Sequence, residues 1–290
     1  MQKRVFTRAP QDPEWLDALL STRLSVGVEE SQQLITRGAV HVGGRRVLEN
    51  ERITVGAKVI VFVDLRQAIV TAPLVIAFRD DWLVVVDKPA GIATQPERSS
   101  SEQALDAQVQ RQLGHEARMM HRLDKEASGL VLFALRREAR APLQHALEGG
   151  LIIRRYSAIV TGRLDGEGTI RLRIGRHAAD SRLRAAFPVD AIAGQPASSH
   201  YRALARHADV TAVELTLETG RTHQLRVHMA AIGHPLVGDV AYGGQPYERL
   251  CLHAHTLSFP HPRTRDRIET HSLLPVAFTN LVPGLTRPSP

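Results

Sequence analysis

Near the start of the chain, apolar positions recur at helical spacing: Trp15, Leu16, Leu19, Leu20 and Leu24 share one face. Residues 29–37 predict a second short helix that buries Leu34 and Ile35 and stops at Gly38. The period then changes. Residues 39–42 and 45–47 flank Gly43-Gly44, the pattern of a two-residue hairpin, and 58–63 predict a closing strand. Beyond Leu74, short apolar runs predict strands over 74–78, 83–87, 129–134, 156–161, 169–174, 201–206 and 211–217. Helical periods are fewer, over 101–113, 137–147 and 224–232. Residues 190–200, with Gly, Pro and two Ser, read as an exposed loop, and the Pro-rich 283–290 as a frayed tail.

These elements predict an α+β protein: a mixed, mostly antiparallel sheet with flanking helices, preceded by a small N-terminal α/β unit. The expected divisions are an extension over 1–13, the small unit over 14–64, a linker over 65–73 and the large domain over 74–290. With 290 residues and 43% apolar content, the chain can bury sizeable cores. No apolar run approaches the roughly 20 residues of a membrane helix. Met1-Gln2-Lys3-Arg4 leads into charged sequence without the apolar stretch of a secretory leader. A lone cysteine, Cys251, excludes an internal disulfide framework and a Cys-rich zinc module. A cytoplasmic monomer without a membrane partner is the expectation.

Charge sharpens the picture by its location. The net charge is +7, and the stretch from Arg136 to Arg184 holds eleven arginines against five acidic residues, nearly the whole excess. Arginine's planar fork suits phosphate, so a polyanion such as nucleic acid is the expected partner. The 14–63 unit, by contrast, balances six basic against six acidic residues, so any affinity there must come from one-sided display.

Four polar segments stand out against the strands. Asp87-Lys88-Pro89-Ala90-Gly91 takes a strand into a tight turn and is weak evidence alone. His121-Arg122-Leu123-Asp124-Lys125-Glu126-Ala127-Ser128-Gly129 places a dense polar loop directly before an apolar strand, where sites are commonly built. An isolated Asp in such a loop is usually a turn residue, but here a His and an Arg precede it. Arg154-Arg155-Tyr156 combines a strand tyrosine with two arginines, equipment for stacking a base and holding phosphate. Finally, Glu218-Thr219-Gly220-Arg221-Thr222-His223-Gln224-Leu225-Arg226-Val227-His228 runs through a Gly turn into a helix. Core packing accounts for Leu225, Val227 and Met229, but not for Arg221 or His223.

Two resemblances follow from these segments. The helix–helix–hairpin–strand order over 14–63 resembles the RNA-binding domain named after ribosomal protein S-four, whose RNA-facing surface is the second helix and hairpin. Arg23, Arg37, Arg45, Arg46 and Lys58 are its candidates here. His-Arg-Leu-Asp followed by Ser-Gly-Leu resembles the RluA-type pseudouridine synthase family. So do Thr-Gly-Arg-Thr-His-Gln-Leu-Arg-Val-His, Gly-His-Pro-Leu-Val-Gly-Asp-x-x-Tyr-Gly and Leu252-His253-Ala254-His255-x-Leu257-x-Phe259. The matches run in order from Asp87 to about Pro262. Ala127 departs from the family, which usually has Thr there.

The resemblance implies isomerisation of uridine to pseudouridine within structured RNA, large-subunit ribosomal RNA foremost and transfer RNA next, with no cofactor and no metal. It implies Asp124 as the catalytic carboxylate, with covalent attack and ribose proton abstraction both open. It further implies Arg221 as its basic partner with Arg226 as fallback, Tyr156 stacked on the uracil, and Arg122 filling the gap a flipped nucleotide leaves. His121, His223 and Arg226 complete the expected RNA-contacting and base-flipping set. Two other classes are weighed beside it. A metal hydrolase would use His223, His228 and His234, or His253 and His255, but the first three are not spaced for one helical face. A non-catalytic RNA-binding protein would require Asp124, Tyr156 or Arg221 to be lost, and all three are present.

Overall fold

The structure is a computed structural model that describes residues 2–24, 28–36, 38–63, 73–95 and 104–286. The chain divides into two compact units, Met1–Ala72 and Pro73–Pro290. Arg37 and almost all of the expected linker lie outside the described residues.

In the first unit, α1 (Leu16–Leu24) and α2 (Val28–Thr36) share an apolar core with strands β1 (Gln2–Thr7), β2 (Val40–Val42), β3 (Arg45–Val47) and β4 (Lys58–Val63). The sheet order is β1-β4-β2-β3, antiparallel throughout. Gly43 and Gly44 take φ of 57° and 86°, the paired positive values a two-residue hairpin turn demands. The N-terminal segment differs from the expected extension. Gln2–Thr7 pairs along its length with Lys58–Val63 and forms an edge strand. Its polar composition hides it from a local reading, because its partner is distant in sequence.

The second unit is built on one eleven-stranded sheet. In chain order its elements are β5 (Val75–Arg79), β6 (Leu83–Lys88), α3 (Leu105–Leu113), β7 (Arg118–Met119), β8 (Ser128–Ala134) and α4 (Arg137–Glu148). There follow β9 (Ile153–Thr161), β10 (Glu167–Arg176), β11 (Arg184–Phe187), β12 (Gln195–His207), β13 (Val210–Leu217), α5 (Gln224–Ala231), β14 (Leu252–Pro260), β15 (Arg267–His271) and α6 (Val276–Leu281). The order is β11-β10-β12-β13-β9-β14-β8-β6-β5, with β15 on β14 and β7 on β8. Every pairing is antiparallel except β8 with β14. Thus the fold is α+β with a mixed, mostly antiparallel sheet. The largest core packs α3 and α5 against β6, β8, β9, β13 and β14; α4 and α6 cover two further apolar clusters. No helix among the described residues is long and apolar enough to cross a membrane.

Three local differences matter for the site. The segment read as an exposed loop over 190–200 is strand from Gln195, paired on both sides by β10 and β13. Beyond the strand, the Ser198 amide donates to Thr219 Oγ1 and the Ser199 hydroxyl accepts from Gln224 Nε2. Tyr156 lies inside β9, three residues past its start, and not at its beginning. The strand β14, central in the sheet, escapes the hydrophobic pattern because buried histidines alternate with apolar residues along it.

Candidate active site

A cavity of about 670 Å³ opens where the loop before β8, the start of β9 and the loop into α5 converge. Its lining brings together His121, Arg122, Asp124, Tyr156, Arg221 and His223. Residues from three of the four polar segments therefore meet in space, although they are separated by up to about a hundred positions in the chain.

The Asp124 loop is fixed from below. Fully buried Lys88, at the end of β6, donates from Nζ to the carbonyls of Pro89 (2.9 Å), Ile92 (2.8 Å) and Lys125 (3.1 Å). The Gly91 amide also donates to the Lys125 carbonyl. The Thr94 hydroxyl donates to the Leu123 carbonyl, and the Leu123 amide donates back to Thr94 Oγ1 at 3.2 Å. Burial pushes the Lys88 ammonium down to about 8. The role of the Asp-Lys-Pro-x-Gly turn is thereby visible: it anchors the backbone after Asp124, while Thr94 anchors the backbone before it. Just beyond the loop, Gly129 takes φ 112°, and a Cβ there would lie 2.3 Å from the Ala254 carbonyl oxygen. Only glycine permits the close β8–β14 crossing that sets the loop over the sheet.

Asp124 faces Arg226. One carboxylate oxygen lies 3.5 Å from Arg226 Nη1, while Arg226 Nε and Nη2 grip both oxygens of Asp239 at 2.8 and 2.7 Å. Asp239 is almost wholly buried, and Asp124 is the more open of the two carboxylates. Burial works against the Arg226 charge, but the hydrogen bonds and charge of Asp239, together with Asp124, outweigh it and hold the guanidinium above its usual value. Tyr242 completes the cluster. Its ring stacks under the Arg226 guanidinium at 4.8 Å, its hydroxyl accepts the Arg184 amide at 2.9 Å, and it reaches His223 Nδ1 at 2.7 Å. Burial lowers the His223 imidazole and raises the Tyr242 phenol, so the phenol donates and the imidazole accepts.

The ion pair of Asp124 is thus made by Arg226, the residue expected only as fallback. Arg221 lines the cavity but is exposed. Its Nε donates to the Pro196 carbonyl, and it makes no ion pair among the described residues. The reason lies in the turn into α5. His223 takes a left-handed φ of 56° as N-cap, and Gln224 ties Arg221 N–H and Thr219 Oγ1 on one side to Ser198 O and Ser199 Oγ on the other. Arg226, one turn into the helix, points inward.

Tyr156 is 4% exposed, and burial raises its phenol. Ala127, where the family usually has Thr, is buried and lines the same cavity, donating its amide to the Asp124 carbonyl at 3.2 Å. His121 is buried between strands, accepting the Leu132 amide at Nε2, and burial with nearby Arg154 pushes its imidazole down to about 3. Arg122 is exposed at the rim. On the first unit's hairpin, Arg45 is paired with Glu51 at 2.7 Å and Arg46 donates to the Gly38 carbonyl, so both have structural partners.

Lys88, Thr94, Asp239 and Tyr242 are the residues the sequence reading did not assign. The signals were present in Asp-Lys-Pro-x-Gly and Gly-Asp-x-x-Tyr-Gly, but nothing local reveals which partner each would meet. The histidines weighed as metal ligands do not assemble. Among the described residues no three His, Cys, Asp or Glu side chains form a metal-holding group, and His228, His234 and His253 each bond a hydroxyl or carbonyl oxygen.

The family model described as RNA pseudouridylate synthase matches residues 82–231. The uncharacterized RNA pseudouridine synthase YhcT of Bacillus subtilis is 36% identical, over 96% of this chain and 95% of its own. Ribosomal large subunit pseudouridine synthase D of Pseudomonas aeruginosa is 36% identical over 83% of this chain and 78% of its own. The solved human RNA pseudouridylate synthase domain containing 1 superposes with a TM-score of 0.62 at 27% identity, covering 76% of this chain and 92% of that one. With the fold, the convergent cavity and these similarities together, the chain belongs to the RNA pseudouridylate synthase family.

Proposed function

We propose that this protein isomerises a uridine in structured ribosomal RNA, with Asp124 as the catalytic carboxylate. The reaction breaks the bond from ribose to the base nitrogen, rotates the uracil and joins its carbon five to the sugar; no atom is gained or lost. The observation that carries the reading is the half-buried carboxylate of Asp124, set opposite Arg226 and within the same lining as the buried Tyr156.

In this reading Asp239 and Tyr242 orient the Arg226 fork, and Arg226 positions Asp124. Tyr156 offers a flat apolar surface to the uracil, with a phenol that burial keeps protonated. Arg122 at the rim is placed to occupy the space a flipped nucleotide vacates, and flipping costs a few kcal/mol, least in loops and bulges. The arginines between 136 and 184 supply salt-dependent phosphate contacts. Several relatives of this chain carry large-subunit ribosomal names, which favours ribosomal over transfer RNA.

Asp124→Asn and Asp124→Ala should leave a folded, RNA-binding protein with no tritium release from ribosomal RNA labelled at uracil carbon five. Substantial release by either variant would remove Asp124 from the role. Mapping pseudouridines in total RNA with and without the gene identifies the target; a map that does not change would reject the ribosomal assignment.

A further inference from the structure

The cavity holds a second feature that the Asp124 cluster does not use. Arg154, two residues before Tyr156 on β9, lines the cavity, half-buried, and has no hydrogen-bond or ion-pair partner among the described residues. Its Nε is buried with nothing to accept its proton. Close by, His121 is 8% exposed. Its Nε2 accepts a backbone amide, so the proton of the neutral ring sits on Nδ1, which is likewise buried and unpartnered. Of the buried side-chain donors without acceptors, these two belong to residues that line one cavity, where the oxygens of a ligand would satisfy them. The guanidinium also lies against Gly220, where a Cβ would approach Nη1 to 3.2 Å, a tight contact.

The charge inventory points the same way. Arg226 is held between two carboxylates, and the exposed Glu218 and Glu148 share the rim with the exposed Arg122 and Arg221. Arg154 is the cation of the lining that is both partly buried and unbalanced by a bonded carboxylate among the described residues.

We propose that Arg154, aided by His121 Nδ1–H, forms a phosphate subsite that holds a backbone phosphate of the target nucleotide beside Tyr156. A guanidinium and a neutral imidazole N–H both donate, and an anionic oxygen accepts from both. A phosphate fixed there sets the ribose of the bound nucleotide relative to Asp124. Arg154 is thereby a substrate-positioning residue. The inference rests on the cavity taking a uridine nucleotide, but it does not require that the nucleotide be isomerised.

The test is direct binding, measured by NMR titration of the wild-type protein with uridine, uridine 5′-monophosphate and uridine 3′-monophosphate. One of the two monophosphates should bind at least about tenfold more tightly than the nucleoside. Arg154→Gln should abolish that preference, Arg154→Lys should keep part of it, and His121→Phe should weaken it, all with the thermal transition of a folded protein. Equal binding of nucleoside and nucleotides, the absence of any binding, or a preference that survives Arg154→Gln would overturn the subsite. Asp124→Asn separates the two readings: it should keep the phosphate preference in full while losing isomerisation.

Discussion

At the scale of single residues, the site turns on which arginine serves Asp124. Arg221 and Arg226 lie five positions apart in the same motif, and charge alone does not distinguish them. The structure does, because Arg226 uses three of its donor nitrogens on two carboxylates while Arg221 bonds only a backbone carbonyl. Replacing Arg226 by Gln leaves Asp239 buried without its partner, and breaking a buried pair in this way costs about 3–5 kcal/mol. Arg226→Lys keeps a charge but cannot make the two-pronged contact, since an ammonium is a point donor. We expect Arg226→Lys to slow tritium release at least about a hundredfold, the scale of a 1 Å misplacement, and to lower the thermal midpoint. Arg221→Lys should leave the midpoint unchanged and the single-turnover rate within a few-fold of wild type. A hundredfold loss in Arg221→Lys with Arg226→Lys near wild type would mean that the exposed arginine does the work, and equal losses would reject the distinction between them.

At the scale of elements, the site is a loop made rigid by a strand end it does not belong to. Lys88 closes β6, yet its ammonium binds the carbonyl on the far side of Asp124. Lys88→Met preserves the length of the side chain and removes every donor, stranding the carbonyls of Pro89 and Ile92 and leaving that of Lys125 with the Gly91 amide alone. A hydrogen bond from a charged donor contributes about 1.5–3 kcal/mol, so a loss of several kcal/mol in denaturant unfolding is expected, with kcat falling more than KM rises. An unchanged unfolding midpoint would show that the three bonds are dispensable. This element also marks how far the sequence could be read. The hairpin around Gly43-Gly44, the helices α1 and α2, and the strands β6, β8 and β13 were legible because their patterns are local. The edge strand β1, the histidine-rich β14 and the early part of β12 were not, because their partners come from distant segments and polar residues occupy buried positions. Likewise the motif resemblance named Asp124 and Tyr156, with Arg226 only as fallback to Arg221, whereas the Lys88 and Asp239 contacts exist only once the sheet has brought separate turns together.

At the scale of the whole molecule, the second unit buries several histidines as neutral rings, and this ties its stability to pH. Burial lowers His121 and His253 to about 3 and His228 to about 4, against an ordinary value of 6.5. Nearby Arg154 adds to the effect on His121, and Arg249 and His255 add to it on His253. The sign follows from the depressed folded values. Below pH 6.5 the unfolded chain takes up protons at these rings and the folded protein does not, so stability is complete above 6.5 and declines as the solution is acidified toward 4 and 3. By pH 5 each such ring would remove about 2 kcal/mol, a substantial part of the 5–15 kcal/mol by which domains are typically stable. Burial raises the Asp87 and Asp106 carboxyls, which favours the folded state as protons are added, so the early loss of stability on acidification belongs to the histidines. We expect the denaturant midpoint of the second unit to fall steadily between pH 7 and pH 5. His253→Asn, which keeps a polar group toward Ser128, should flatten that decline by about a third while lowering stability at pH 7. A midpoint independent of pH over that range, or an unaltered slope in His253→Asn, would mean that the buried rings are hydrated or already protonated in the folded protein.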